Sequence, residues 1–154
     1  VQDNTNSVIA TSSSPQHKSG VRSGWISEVL SFNVGFAFTY VFHLDASPEP
    51  LKDLNTAKEY INREITRLIT LCATTPSGRD VVSNPDLTER HFDLIDRVID
   101  VEAVGSPVRE LYMNLLDSLK IPTYTKCLEQ ALIDLDQIIE TYQQGATADG
   151  NLIQ

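Results

Sequence analysis

Basic residues, histidine and cysteine are scarce in this chain, and each shortage closes off a kind of chemistry. Lysine and arginine total 12 against 21 aspartates and glutamates, a net charge of −9. A body of that sign repels phosphate backbones and anionic lipid surfaces unless its cations gather on one side, so nucleic acid is not the expected partner. The 3 histidines, His17, His43 and His91, fall in separate segments. The Glu-x-x-His motif of carboxylate-bridged di-metal bundles does not occur. A shared metal site would need all three histidine segments to converge, and no cofactor is expected. Cys72 and Cys127 lie 55 positions apart, without Cys-x-x-Cys or Cys/His spacing. Both fall inside helical patterns, where a reduced thiol packs as a small apolar group. That usage, with no Asn-x-Ser/Thr acceptor, fits a reducing compartment.

Catalytic motifs are missing as well. There is no Gly-x-Ser-x-Gly elbow and no histidine local to either cysteine. Thr75-Pro76-Ser77-Gly78-Arg79 has one glycine and reads as a turn, not as a phosphate loop. The first residues lack the charged, apolar and small-residue order of a signal peptide. Because the chain starts at Val1 and not at Met, a removed targeting segment stays open.

What is present is enough for one domain: 154 residues, 41% hydrophobic and 21% charged. Residues 1–24 are polar and rich in Ser and Thr, and read as a flexible tail with an optional short strand at 7–11. Residues 25–145 read as a single helical domain and 146–154 as a second tail. Between Ser31 and Leu44 the residues Phe32, Val34, Phe36, Phe38, Tyr40, Phe42 and Leu44 alternate with smaller or polar ones. A period of two predicts a β-strand over 31–44, about 46 Å long at ~3.3 Å per residue, with Gly35 as the place for a bulge. Nothing else in the chain offers that strand an obvious partner, so its edges call for another chain. The alternatives are a buried amphipathic helix and, for residues 25–44, a single membrane-spanning helix, against which stand Glu28, Asn33, His43 and the period itself.

Four helices are predicted after the strand. Ser47-Pro48, Asn84-Pro85 and Ser106-Pro107 each place a capping side chain before a proline at the first helical position. The helix near 48–73 repeats Leu51, Leu54, Lys58, Ile61, Ile65, Leu68 and Cys72, with Lys58 the one break in its apolar face. The next, near 85–103, ends at Gly105, and a third covers 107–121. The last, near 123–144 and terminated by Gly145, carries Leu128, Leu135 and Tyr142 at intervals of seven, a seam suited to bundle packing or to a partner helix.

On the second predicted helix Glu89, Asp93, Asp96 and Asp100 share a face, a candidate for cation binding or acid–base work. Arg90 and Arg97 sit among them and favour an ion-paired, solvated surface. Together these features predict a mainly α domain of α+β type: a four-helix irregular bundle preceded by one long N-terminal β-strand and a flexible tail. The expected function is that of a non-catalytic structural or assembly subunit, partnered by copies of itself or by other subunits of a larger complex. Its contact residues would be Phe32, Val34, Phe36, Phe38, Tyr40 and Phe42 on the strand and Leu128, Leu135 and Tyr142 on the bundle. A membrane-anchored accessory subunit and a carboxylate-based ion-binding protein or enzyme are the rival readings.

Overall fold

Serine and threonine side chains open three of the helices, and the spacing of apolar residues decides which side of each turns inward. The computed structural model describes residues 17–74, 88–116 and 124–148. In order these form α1 (Ser23–Ser27), α2 (Phe32–Phe42), a 3-10 turn (Leu44–Ala46), α3 (Pro50–Thr74), α4 (Glu89–Asp100), α5 (Pro107–Leu115) and α6 (Tyr124–Ala148). No β-strand occurs among the described residues, so the α+β expectation gives way to an all-helical fold. The optional strand at 7–11 lies outside the described residues.

The segment expected as a strand is α2. Ser31 starts it by accepting a hydrogen bond from the Val34 N–H at 3.3 Å. Val34, Ala37, Phe38, Val41 and Phe42 fall at i, i+3, i+4, i+7 and i+8, and each is at most 4% exposed. Phe32, Phe36 and Tyr40 form a second row, again four apart. Two rows of period four offset by two positions add up to a period of two, which is why the sequence imitates a strand. On a helix an offset of two is about 200° of rotation, so α2 is apolar on two opposed sides. Gly35 is no bulge: it lies inside the helix, where an added Cβ would meet Ser27 O, Ser27 Cβ and Leu30 Cβ at 3.6, 3.7 and 3.8 Å. The membrane alternative changes too, because residues 25–44 are divided between α1 and α2. Among the described residues no helix is long and apolar enough to cross a membrane.

Helix α2 packs on α3, α3 on α6, α6 on α5, and α5 on α2, closing a ring of four. The bundle is therefore real, but the supposed strand supplies one of its members. Helix α4 packs chiefly against α1 and α5 and adds Leu94, Ile95, Val98 and Ile99 to the same core. In α3 the inward seam is Leu54, Ala57, Ile61, Glu64 and Leu68. Lys58, the break in the apolar pattern, reaches across to Asp136 of α6 at 2.6 Å. Leu128 and Leu135 are fully buried and Tyr142 is packed against the core, so the repeat of sevens faces this chain's own helices.

Helix ends follow the caps with some shifts. Ser106 Oγ accepts from the Arg109 N–H at 3.2 Å with Pro107 at the first position, as its dipeptide indicates. Gly105 just before it has φ +84°, a left-handed conformation that suits glycine. Helix α3 begins two residues past Pro48, with Ser47 Oγ accepting from the Glu49 N–H at 3.1 Å. Asn84-Pro85 lies outside the described residues; α4 is opened by a reciprocal capping box between Thr88 and His91. Helix α6 runs through Gly145 to Ala148 instead of stopping there. Ahead of α1, Val21 is buried and the His17 ring stacks on Phe42 at 3.8 Å, so packing extends into the segment read as tail.

Two substitutions test this architecture. Gly35→Ala meets its neighbours at ordinary contact distance and should stabilise the chain by about 0.5–1 kcal/mol in urea unfolding; a strand bulge would make it destabilising. Leu135→Ala should cost ~2–5 kcal/mol in the same assay, and a loss below ~0.5 kcal/mol would show that α6 does not pack as described.

Candidate functional site

The outward row of α2 meets α3 to make an exposed aromatic ridge. Phe32 is 70% and Phe36 41% exposed, although both are large apolar side chains. Their ring centroids are 4.7 Å apart. Tyr60 of α3 stacks on Phe36 at 5.1 Å with 14° between planes, and it touches Phe32 edge-on at 6.2 Å. Tyr40 extends the row to within 6.4 Å of Tyr60. The Arg63 guanidinium lies over the Tyr60 ring at 4.9 Å, a cation–π contact at the edge of the cluster.

A buried ion pair sets the register that brings these rings together. Glu64, 1% exposed, accepts from Arg67 Nε at 2.9 Å and Nη2 at 2.6 Å. Asn33 Nδ2, from the first turn of α2, donates to the same carboxylate at 3.1 Å. Burial alone would raise the Glu64 pKa, but the hydrogen bonds from Arg67 and Asn33, the Arg67 charge and a further hydrogen bond from Ser31 outweigh it and hold it below the ordinary range. Asp134 in α6 shows the opposite balance. It accepts from Asn114 Nδ2 at 2.8 Å and Gln130 Nε2 at 3.4 Å, yet burial dominates and pushes its pKa up.

The sequence-predicted contact residues divide in the structure. Phe32, Phe36 and Tyr40 stand on the ridge, whereas Val34, Phe38, Phe42, Leu128 and Leu135 are buried in this chain's own core. Tyr60 and Arg63 were not singled out by sequence reasoning. The only signal for them was their position on the polar side of the α3 stripe, where a tyrosine is out of place among charges.

Other candidates do not converge. Glu89, Asp93, Asp96 and Asp100 are all exposed, and Asp100 lies 3.8 Å from Arg109. Among the described residues no group of three or more His, Cys, Asp and Glu could hold a metal ion. His17 stacks on the Phe42 ring and His43 meets it edge-on, while His91 is engaged by Thr88 and by Glu28 Oε2 at 2.9 Å. Burial, aided by the Lys18 charge, lowers His17 to about 4, and burial lowers His43 as well, so both stay neutral near pH 7. A shallow depression along α3, lined by residues such as Lys52, Asn55 and Glu59, draws on one helix alone. Its Asn55 is tied back to Leu51 O at 2.9 Å and Thr56 to Lys52 O at 2.9 Å. No protein family, no curated protein and no solved structure matches this chain.

The Glu64 cluster gives a pH-dependent expectation. A carboxylate whose folded pKa is depressed stabilises the fold above its unfolded pKa, and that contribution disappears as pH falls through the folded value. Glu64→Gln should therefore lose roughly 1–3 kcal/mol at pH 7, with the gap from wild type narrowing below the ordinary carboxylate range. Thermal unfolding of both proteins across acid pH checks this; a gap of constant size would show that the charge on Glu64 is not what stabilises the contact.

Proposed function

We propose that this chain is a non-catalytic assembly subunit that pairs with a second copy of itself through the aromatic ridge. The observation that carries the reading is the exposure of Phe32 at 70% beside Phe36, Tyr40 and Tyr60 in one contiguous cluster. Aromatic residues and arginine are the side chains most enriched where protein contacts hold their energy. The expected strand edge plays no part, since residues 31–44 are helical.

Charge favours a second copy as the occupant. Two bodies of net charge −9 repel one another across most faces. Helix α2 carries no Asp, Glu, Lys, Arg or His, and α3 beside it balances Lys52, Lys58, Arg63 and Arg67 against Asp53, Glu59 and Glu64. The α4 and α6 faces are acidic, with Glu89, Asp93, Asp96 and Asp100 on one and Glu129, Asp136 and Glu140 on the other. The ridge also holds both halves of a cation–π contact, the Arg63 guanidinium and open ring faces. A patch of that kind is self-complementary about a two-fold axis.

Absolute mass by light scattering over a range of concentrations tests the proposal. Wild type should approach twice 17.1 kDa. Phe32→Asp, which alters an exposed position, should stay helical by circular dichroism and weaken pairing by ~30-fold or more, about 2 kcal/mol. A wild type that remains monomeric at every concentration, or a variant that pairs as well as wild type, would overturn it.

A further inference from the structure

Trp25, the chain's single tryptophan, is flanked by two arginines from distant parts of the sequence. The guanidinium carbon of Arg22 lies 5.8 Å from the indole centroid and that of Arg90 lies 5.7 Å from it. Both arginines are exposed. A guanidinium set over a ring uses its flat face there, which leaves its N–H edge open for hydrogen bonds.

In a chain with such an excess of acid, a cation readily finds a carboxylate, and Lys18, Lys52, Lys58, Arg67 and Arg109 all do so. Arg22 and Arg90 do not, nor do Arg63, Arg97 and Lys126; among the described residues neither the Arg22 nor the Arg90 guanidinium forms an ion pair or a hydrogen bond. Glu28, at the end of α1, is held by His91 at 2.9 Å instead. Arg90 also stands in the first turn of α4, where a positive charge is disfavoured by the helix dipole. Two like charges thus converge on one indole. The sum of the two distances puts the guanidinium carbons no more than 11.5 Å apart.

We infer that Arg22, Trp25 and Arg90 form a binding site for a phosphate group. A tetrahedral phosphate presents three oxygens and up to two charges, so it can accept from two guanidinium forks arriving from different sides; a carboxylate fills one fork. The site draws on α1 and α4 and is independent of the ridge on α2 and α3.

Trp25 supplies its own readout. Inorganic phosphate titrated into the full chain at fixed ionic strength should change the tryptophan emission saturably. Arg22→Gln and Arg90→Gln should each raise the midpoint tenfold or more, with far-UV circular dichroism unchanged. Arg90→Lys, which keeps the charge but loses the fork, should weaken binding as well. A phosphoserine peptide binding at least tenfold tighter than the free ion would assign the group to a phosphorylated protein segment, and equal binding would assign it to a free phosphate. No saturable change, an equal response to acetate at the same ionic strength, or unaltered midpoints in the glutamine variants would overturn the site.

Discussion

Glu64 is a carboxylate almost without solvent, and a charge in that position is tolerated only because Arg67 and Asn33 answer it. The three residues join the first turn of α2 to the middle of α3. Asn33 can reach Glu64 at only one rotation of α2, so the bond fixes which side of that helix faces inward. Tyr60 precedes Glu64 by one turn and is thereby brought under Phe36. Both the core row of α2 and its exposed row depend on this single polar contact. Apolar packing alone would be a poor guide on a helix whose two opposed sides are both greasy.

Closing the ring of helices places α2 between two demands. One side meets α3, α5 and the core, including the edge-on contact of Phe38 with Tyr112 at 5.8 Å. On the other, Tyr60 of α3 meets Phe32, Phe36 and Tyr40, and Phe32 and Phe36 stay exposed. A helix with this composition usually lies inside a protein on all sides. Here half of that burial is missing, which is what makes the ridge the most informative surface of the molecule.

Much of the fold is legible in the sequence wherever one apolar stripe runs along one helix. Leu54, Ile61 and Leu68 in α3, and Leu128 and Leu135 in α6, are core residues as their periods indicate. Ser106-Pro107 after Gly105 marks a helix start that the structure keeps. Ala57 and Glu64 escape such a reading, because a small residue and a charged one carry no hydrophobic signal. Residues 31–44 mislead for a different reason: a sum of two helical rows has the period of a strand. The ridge was half visible, since Phe32, Phe36 and Tyr40 are prominent in the sequence while the contributions of α3 are not. The pairing of Arg22 and Arg90 on Trp25 could not be read at all, because only the docking of α1 on α4 brings them together.

That docking bears on how the chain is made. Glu28 and its partner His91 are 63 positions apart, and Lys18 and Glu102 are 84 apart. Residues 17–30 are translated before the α4 segment they dock against. Contacts of such sequence separation carry a loop-closure cost that local helix formation does not. During synthesis α1, α2 and α3 can assemble from neighbouring segments, while the side of α1 that meets α4 is completed only once α4 has emerged. Because α1 and α4 each set an arginine beside Trp25, the emission of that indole is a fluorescent marker of their docking.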